Sequence, residues 1–265
     1  MEQQQQRARL VGWLIALMVL TVGWSLVLKS RPVRAPRLPT PAPTAIPPPA
    51  PQRSRSQAGA RIAVVESVGP GYLDLLARAE IRRRIRASYP YTYLSSIVAA
   101  SNDSMLHRWD DRVGRPVRVS LRPDTVAGFQ ASFLDAVRSA FSRWEQAGMS
   151  VRFDLRAESA DAEVHFVWRT QFDIDRTGQT DLEWDQNGHL RSGTVTIATH
   201  DPRGHLLSPD DVRVVALHEI GHLIGLDHSP DSTDVMFAKT VLRELSDRDI
   251  RTAKLLYALA PGSLR

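Results

Sequence analysis

The alternation of apolar and polar positions predicts a folded region in the second half of the chain. Val117, Val119 and Leu121 alternate with polar residues and predict a half-buried strand. Apolar residues of helical spacing predict a helix over residues 129–146. Four further strands are predicted at residues 151–155, 162–168, 180–184 and 194–199.

Two later helices have recognisable starts. Ser208-Pro209-Asp210-Asp211 puts Ser at the N-cap, Pro at the first helical position and Asp at the third. Ser246-Asp247-Arg248-Asp249 repeats the Ser and the Asp and opens a last helix. Helices and strands therefore follow one another in an order that indicates an α+β fold.

The N-terminal quarter has a different pattern. After a short basic N-terminus (1–9), residues 10–28 form an uncharged apolar run with Trp13 and Trp24 near its ends. This run predicts one transmembrane helix that acts as a signal anchor. A cleaved secretory signal peptide is the alternative, although Lys29-Ser30-Arg31-Pro32 is a poor cleavage site.

Two segments separate this run from the predicted domain. Residues 29–60 form a Pro-rich linker, in which nine prolines between 32 and 51 favour extended polyproline II, and an SH3-type ligand is the alternative. Residues 61–105 form a pre-segment with helical periodicity over Tyr72–Ala87 and an arginine cluster. We interpret this helix as a solvated amphipathic one, with an inhibitory or membrane-touching segment as the alternative; its role is not predicted.

Charge and composition exclude some functions. Residues 1–61 hold nine Lys and Arg residues and one acid, a net charge of +8, which leaves −3 for the other 204 residues of a chain whose net charge is +5. The basic character belongs to the N-terminal part, so nucleic-acid binding by the folded part is not supported. The chain has no cysteine, so its core forms without disulfides.

The candidate chemistry lies in one stretch, residues 218–228. On a helix, His218 and His222 are one turn apart on the same face, and Glu219 lies about 100° round the axis. Gly225 can end the helix in a left-handed conformation and return His228 as a third ligand. Three protein ligands leave the fourth position of a zinc ion open, which is typical of catalytic zinc.

The stretch and the methionine that follows it, Met236, resemble the metzincin signature. Leu226-Asp227-His228-Ser229 with Met236 eight residues after the histidine most resembles the matrixins, the matrix-metalloprotease-like family. The resemblance implies a twisted mixed sheet, a metal-binding helix and a C-terminal helix over about residues 106–260, followed by a tail at 261–265. Met236 would be the structural methionine of the turn beneath the metal.

This resemblance and the predicted anchor together lead us to expect a membrane-anchored zinc metalloendopeptidase. Zinc held by His218, His222 and His228 would activate a water from which Glu219 takes the proton as general base. Residues 180–184 would be the edge strand that binds an extended peptide substrate. The alternatives are a zinc hydrolase of a non-peptide amide and a non-catalytic zinc-containing surface protein.

Some matrixin features are missing from the sequence. Without cysteine, the thiolate that keeps many matrixin proenzymes latent is absent. Calcium or a second zinc is unsupported, because the usual start of the second zinc site is missing and Trp184 stands where a calcium loop opened by Asp173 and Asp175 would need Glu. His200, Asp201 and His205 are interpreted as ordinary loop residues.

The direction of the anchor is ambiguous. Arg7 and Arg9 precede the apolar run, but four basic residues follow it closely: Lys29, Arg31, Arg34 and Arg37. The positive-inside rule therefore favours a cytoplasmic C-terminus, whereas the resemblance to exported matrixins favours a periplasmic or extracellular one. We expect an extracytoplasmic catalytic domain; the sequence does not predict the oligomeric state.

Overall fold

The computed structural model describes residues 71–101, 104–112 and 114–265. The predicted N-terminus 1–9, the predicted transmembrane anchor 10–28 and the Pro-rich linker 29–60 lie outside the described residues. Among the helices that are described, none has both the length and the apolar character needed to cross a membrane.

Five helices and seven strands make up the described part of the chain. The helices are α1 (Tyr72–Ala87), α2 (Leu94–Ala100), α3 (Ser132–Gln146), α4 (Pro209–Leu223) and α5 (Asp247–Tyr257). The strands are β1 (Met105–Leu106), β2 (Val117–Ser120), β3 (Phe153–Asp154), β4 (Val164–Arg169), β5 (Gly178–Trp184), β6 (Leu190–Ala198) and β7 (Gly262–Ser263).

The main sheet has five strands in the order β3-β2-β4-β6-β5. All neighbouring pairs are parallel except β5 and β6, which are antiparallel. This arrangement confirms the prediction of a mixed sheet with helices, as a matrixin domain requires. Among the described strands β5 pairs with β6 alone, so its other edge is available to a further strand.

Helix α3 packs against α4 through a buried apolar face. The face includes Phe133, Val137, Ala140, Phe141 and Trp144, each at most 1% exposed. The indole of Trp144 donates to the carbonyl of Leu217 in α4 at 2.8 Å. The predicted helix over 129–146 begins three residues late, because the chain before Ser132 forms turns of i to i+3 hydrogen bonds.

The segment before residue 106 belongs to the same core. Helix α1 has the predicted bounds, whereas the short helix α2 was not predicted. Four apolar side chains of this segment are at most 7% exposed and join the main core: Ile85, Tyr93, Leu94 and Ile97. The buried core therefore extends to the N-terminal side of residues 106–260.

The last residues also pack on the domain. The stretch predicted as a tail, 261–265, contains strand β7, which pairs antiparallel with β1, with Met105 opposite Ser263. Leu264 is 4% exposed and its N–H donates to the carbonyl of Ser104 at 3.0 Å. The pre-segment and the C-terminal residues thus hold one another by backbone pairing and apolar burial.

Candidate metal centre

Helix α4 begins at the predicted cap. The N–H of Asp211 donates to the Ser208 hydroxyl at 3.2 Å, and the N–H of Ser208 donates to the Asp211 carboxylate at 3.2 Å. Pro209 occupies the first helical position, where no N–H is needed. This cap fixes the start of the helix that carries His218, Glu219 and His222.

The three predicted histidines converge. The ring centroids of His218 and His222 are 4.8 Å apart. The ring centroid of His228 lies 5.3 Å from that of His218 and 4.8 Å from that of His222. One nitrogen from each ring lies within 4.8 Å of the others. The set could therefore hold one metal ion, as the spacing on α4 predicts.

Hydrogen bonds to the backbone fix the tautomers of two rings. Nδ1 of His218 lies 2.8 Å from the Val235 carbonyl, and Nδ1 of His222 lies 2.9 Å from the Leu226 carbonyl. A carbonyl accepts and does not donate, so both Nδ1 atoms carry the proton and both Nε2 atoms present lone pairs. The rings are therefore preset as metal ligands.

The Nε2 atoms of His218 and His222 are 3.2 Å apart. Neither carries a proton, so they do not hydrogen-bond to each other. In a tetrahedral site with Zn–N distances of about 2.0–2.1 Å, two ligand nitrogens lie about 3.4 Å apart. The observed separation fits a shared zinc ion.

Burial keeps the ligands on α4 neutral. Desolvation lowers the pKa of His222 to about 3, with the neighbouring His218 adding to the effect. Desolvation also lowers the pKa of His218. Neutral imidazoles are the form that binds a metal, so these rings need lose no proton at neutral pH. His228, by contrast, is about half exposed.

Gly225 turns the chain toward His228. Its φ of +99° is left-handed, and its N–H donates to the His222 carbonyl while the N–H of Leu226 donates to that of Gly221. These two bonds form the Schellman motif that ends a helix. A Cβ at Gly225 would lie 2.0 Å from the His107 carbonyl oxygen, so a side chain would also clash there.

Glu219 lies beside the histidines, in contact with the edge strand. Its side chain is 5% exposed, and the Thr180 hydroxyl donates to Oε2 at 2.7 Å. Desolvation raises the pKa of Glu219 to about 7, although the Thr180 hydrogen bond opposes the shift. A Cβ at Gly178 would lie 2.3 Å from Oε1, so this glycine leaves room for the other carboxylate oxygen.

Met236 packs beneath the ligand helix. It is fully buried, and a Cβ added at Gly221 would lie only 2.1 Å from its sulfur. Gly221 therefore lets the turn that bears Met236 come directly against α4. Met236 is thus buried against the ligand helix, and its role as the structural methionine beneath a metal stays a prediction.

A buried carboxylate holds this turn. Asp249, in the first turn of α5, accepts from the N–H groups of Val235 at 2.8 Å and Met236 at 3.4 Å. The Tyr93 hydroxyl of the pre-segment donates to the same carboxylate at 3.0 Å. Because the Val235 carbonyl accepts from His218, Tyr93 is linked to a metal ligand through three consecutive hydrogen bonds.

A second buried carboxylate supports the turn from the other side. Asp234 accepts from the hydroxyl of Ser246 at 2.6 Å and from that of Ser229. Arg248 pairs with Asp234 at 2.8 Å. Asp234 is 1% exposed, so these donors supply the partners that a buried charge requires.

The other metal candidates of the sequence have other partners in the structure. Asp175 lies 3.6 Å from Lys239, and Asp173 lies 3.9 Å from Arg169. His205 contacts Asp201 at 3.0 Å on the surface. Within the described ranges, one group of His, Asp or Glu side chains is close enough together to share an ion, and it consists of His218, His222 and His228.

Sequence reasoning missed several residues that shape the site. Thr180 was predicted as part of an edge strand, but its bond to Glu219 was not, and no local signal points to Gly178, Asp249 or Tyr93 as site residues. His107 also lines the cleft and was not singled out as a site residue.

Comparison with known proteins agrees with this geometry. The family model described as matrixin matches residues 109–258. Metalloendoproteinase 1 of Glycine max is 27% identical over 143 residues, which cover 49% of this chain and 47% of that protein. Probable matrix metalloproteinase 095L of Invertebrate iridescent virus 3 is 26% identical over 145 residues, which cover 50% of this chain and 39% of that protein. The chain spans less than half the length of these two curated relatives.

Proposed function

This chain belongs to the matrixin family, and on that basis we propose that it is a zinc-dependent endopeptidase. The observation that carries the proposal is the convergence of three imidazoles, two of them preset as acceptors, beside a buried carboxylate. His218, His222 and His228 would hold the ion. A zinc ion bound there supplies an activated water and polarises the scissile carbonyl.

Glu219 would move the proton. The Thr180 hydroxyl donates a hydrogen bond to Oε2, so Oε1 would be the oxygen that accepts a proton from the attacking water. The absence of a side chain at Gly178 leaves the room that Oε1 occupies. After attack, the same carboxyl group would return the proton to the leaving amine.

The substrate would bind as an added strand. Strand β5 runs past Glu219, and one of its edges has no partner among the described strands, so a peptide backbone can hydrogen-bond there. Such pairing holds the substrate extended, with its carbonyl groups presented at regular intervals. This favours a peptide over a compact amide substrate.

For the N-terminal part, we retain the proposal of a single-pass anchor. It rests on the 19 uncharged residues at 10–28 and on the linker that follows them. The catalytic domain would lie outside the cytoplasm, a direction supported by the resemblance to exported matrixins and opposed by the basic residues after the run. Protease protection of intact and opened cells, read with an antibody to the C-terminus, would test the anchor and its direction together.

The decisive experiment for the catalytic proposal compares the wild-type protein with Glu219→Gln and Glu219→Ala. Both variants should keep about one zinc per chain and lose casein cleavage, because the ligands remain while the base is gone. Chelation should abolish cleavage by the wild-type protein, and added zinc should restore it. Undiminished proteolysis by either variant would refute the role of Glu219.

The same measurements separate the alternatives. Zinc binding by the wild-type protein without cleavage of any peptide would favour a non-peptide amide substrate or a non-catalytic zinc protein. A panel of acyl-amide and cell-wall substrates would then distinguish these two.

A further inference from the structure

The cleft extends well beyond the three histidines. It has a volume of about 790 Å³ and continues along β5 to residues of α2 and β1. At that end, five residues form what we call the outer compartment: Ile97, Met105, His107, Leu182 and Trp184. Three of the five come from the segment before residue 109, where the family match begins. This part of the cleft is therefore built in part by residues outside the region that the chain shares with the family model.

The outer compartment is apolar and aromatic. Trp184 is 48% exposed although it is a large aromatic residue, and its ring lies 4.4 Å from that of His107. The other members are an isoleucine, a methionine and a leucine. A half-exposed indole in a concave apolar wall offers a surface on which another large apolar side chain can pack.

The position of the compartment sets which substrate residue reaches it. Thr180 and Leu182 share one face of β5, since side chains alternate along a strand. Trp184 follows a register shift after Glu183 and lines the same cleft. Thr180 contacts Glu219, and Trp184 is four residues further on, about 13 Å at 3.3 Å per residue. A peptide paired with β5 would therefore place a residue three or four positions from the scissile bond in the compartment.

The wall that the pre-segment supplies is fixed in place. Ile97 is 7% exposed and belongs to the core, and Met105 is paired with Ser263. The backbone N–H of Tyr93 donates to the Thr252 hydroxyl at 3.1 Å, and its side chain bonds Asp249. A wall held by buried contacts gives a preformed binding site, which lowers the cost of ordering on binding.

We propose that the outer compartment is a specificity site that binds a large apolar or aromatic side chain of the substrate, three or four residues from the scissile bond. The proposal rests on the proposed peptidase function, and it assigns the pre-segment a part in substrate selection. It differs from an inhibitory role, because the described residues of this segment form a wall of the cleft.

The test uses two sets of ten-residue peptides that carry either Phe or Ala at one position, scanned across the cleavage site. For the wild-type chain, the ratio of kcat/KM values (Phe over Ala) should reach about 10 or more at one position three or four residues from the bond. Trp184→Ala and Met105→Ala should each reduce this ratio severalfold. Val167→Ala is the matched control, since Val167 is an exposed apolar residue on β4 outside the cleft.

A binding measurement makes the test independent of cleavage. Zinc-loaded Glu219→Gln protein should bind the preferred Phe peptide about tenfold more tightly than its Ala partner, and the added Trp184→Ala change should remove the difference. A wild-type chain that cleaves peptides with a flat ratio at these positions overturns the compartment proposal and leaves the peptidase function standing. Absence of all cleavage, together with selective binding, would instead refute the peptidase function and support the compartment.

Discussion

Thr180 is the residue on which the geometry of the proposed base depends most directly. Its hydroxyl donates to Glu219 Oε2, and Val has nearly the same shape without the donor. We expect Thr180→Val to lower kcat/KM about tenfold, because a hydrogen bond to a charged group contributes about 1.5 kcal/mol or more. Zinc content should stay unchanged. Thr180→Ser, which keeps the hydroxyl, serves as the control, and equal kcat/KM in the Val variant and the wild type would contradict the role.

Gly221 and Met236 form a close contact whose energy can be measured. Gly221→Ala would place a methyl group 2.1 Å from the Met236 sulfur if nothing moved. We expect this variant to be less stable by about 1–3 kcal/mol, the usual cost of overpacking. The measurement is urea unfolding of the zinc-free protein.

A double-mutant cycle identifies the cause of that loss. Met236→Ala removes the colliding atoms, so Gly221→Ala should cost less in that background than in the wild type. Equal costs in the two backgrounds would show that the contact is not what requires glycine.

The residues of the site differ in how far the sequence could predict them. The period of one helix places His218 and His222, and the turn that begins at Gly225 places His228. Local spacing in the sequence was therefore enough to predict that the three residues lie together. Thr180 is 39 residues from Glu219, and Tyr93 is 156 residues from Asp249, so only the tertiary fold brings these pairs together. Gly178 is also far from Glu219 in the sequence, and only the folded structure shows that a side chain there would collide with Oε1.

Among the elements, the turn between β5 and β6 contains a carboxylate with a strongly lowered pKa. Desolvation of Asp185 would raise its pKa, but hydrogen bonds from the backbone of His189 and Asn187 and from the side chain of Arg191 outweigh it and lower the pKa to about 2. The ordinary value is about 3.9. The ionised side chain therefore stabilises the fold above about pH 4, and this stabilisation is lost as the pH falls toward 2.

The loss of this stabilisation at low pH leads to a prediction for a variant of Asp185. Asp185→Asn should lower the Tm relative to the wild type at pH 7, and the difference should shrink as the pH falls below about 4. Thermal unfolding at a series of pH values measures it. Asp173→Asn, at an exposed position 3.9 Å from its cationic neighbour, should show a much smaller difference at every pH. A Tm difference for Asp185→Asn that did not change with pH would contradict the charge-based explanation.

Long periodic elements were predicted well, and short ones were not. Helix α1 has the predicted bounds, and the caps at Ser208 and Ser246 start α4 and α5 as expected. Helix α2 has seven residues and β7 has two, too few for a periodic pattern to stand out. Contacts with other parts of the molecule hold both in place, so their own sequences carry little signal.

At the scale of the whole molecule, the folded domain includes the pre-segment, which the sequence did not predict. The family match begins at residue 109, yet the core and the cleft both include residues from before it. The hydrogen bonds from Tyr93 through Asp249 to Val235 join this segment to the turn beneath the metal ligands. The described part of the pre-segment therefore belongs to the same folded body as the three histidines.

Removal of the pre-segment should consequently unfold the domain rather than activate it. Four core side chains would be lost, and burial of each large apolar side chain contributes about 1.5–3 kcal/mol. Their sum, on the order of 6–12 kcal/mol, is comparable with the whole stability of a typical domain, about 5–15 kcal/mol. A chain that begins at residue 71 should unfold cooperatively in urea without zinc, whereas one that begins at residue 106 should show a much lower midpoint or no transition. Equal midpoints, or higher peptidase activity in the shorter chain, would instead mean that the segment is a removable cover over the site.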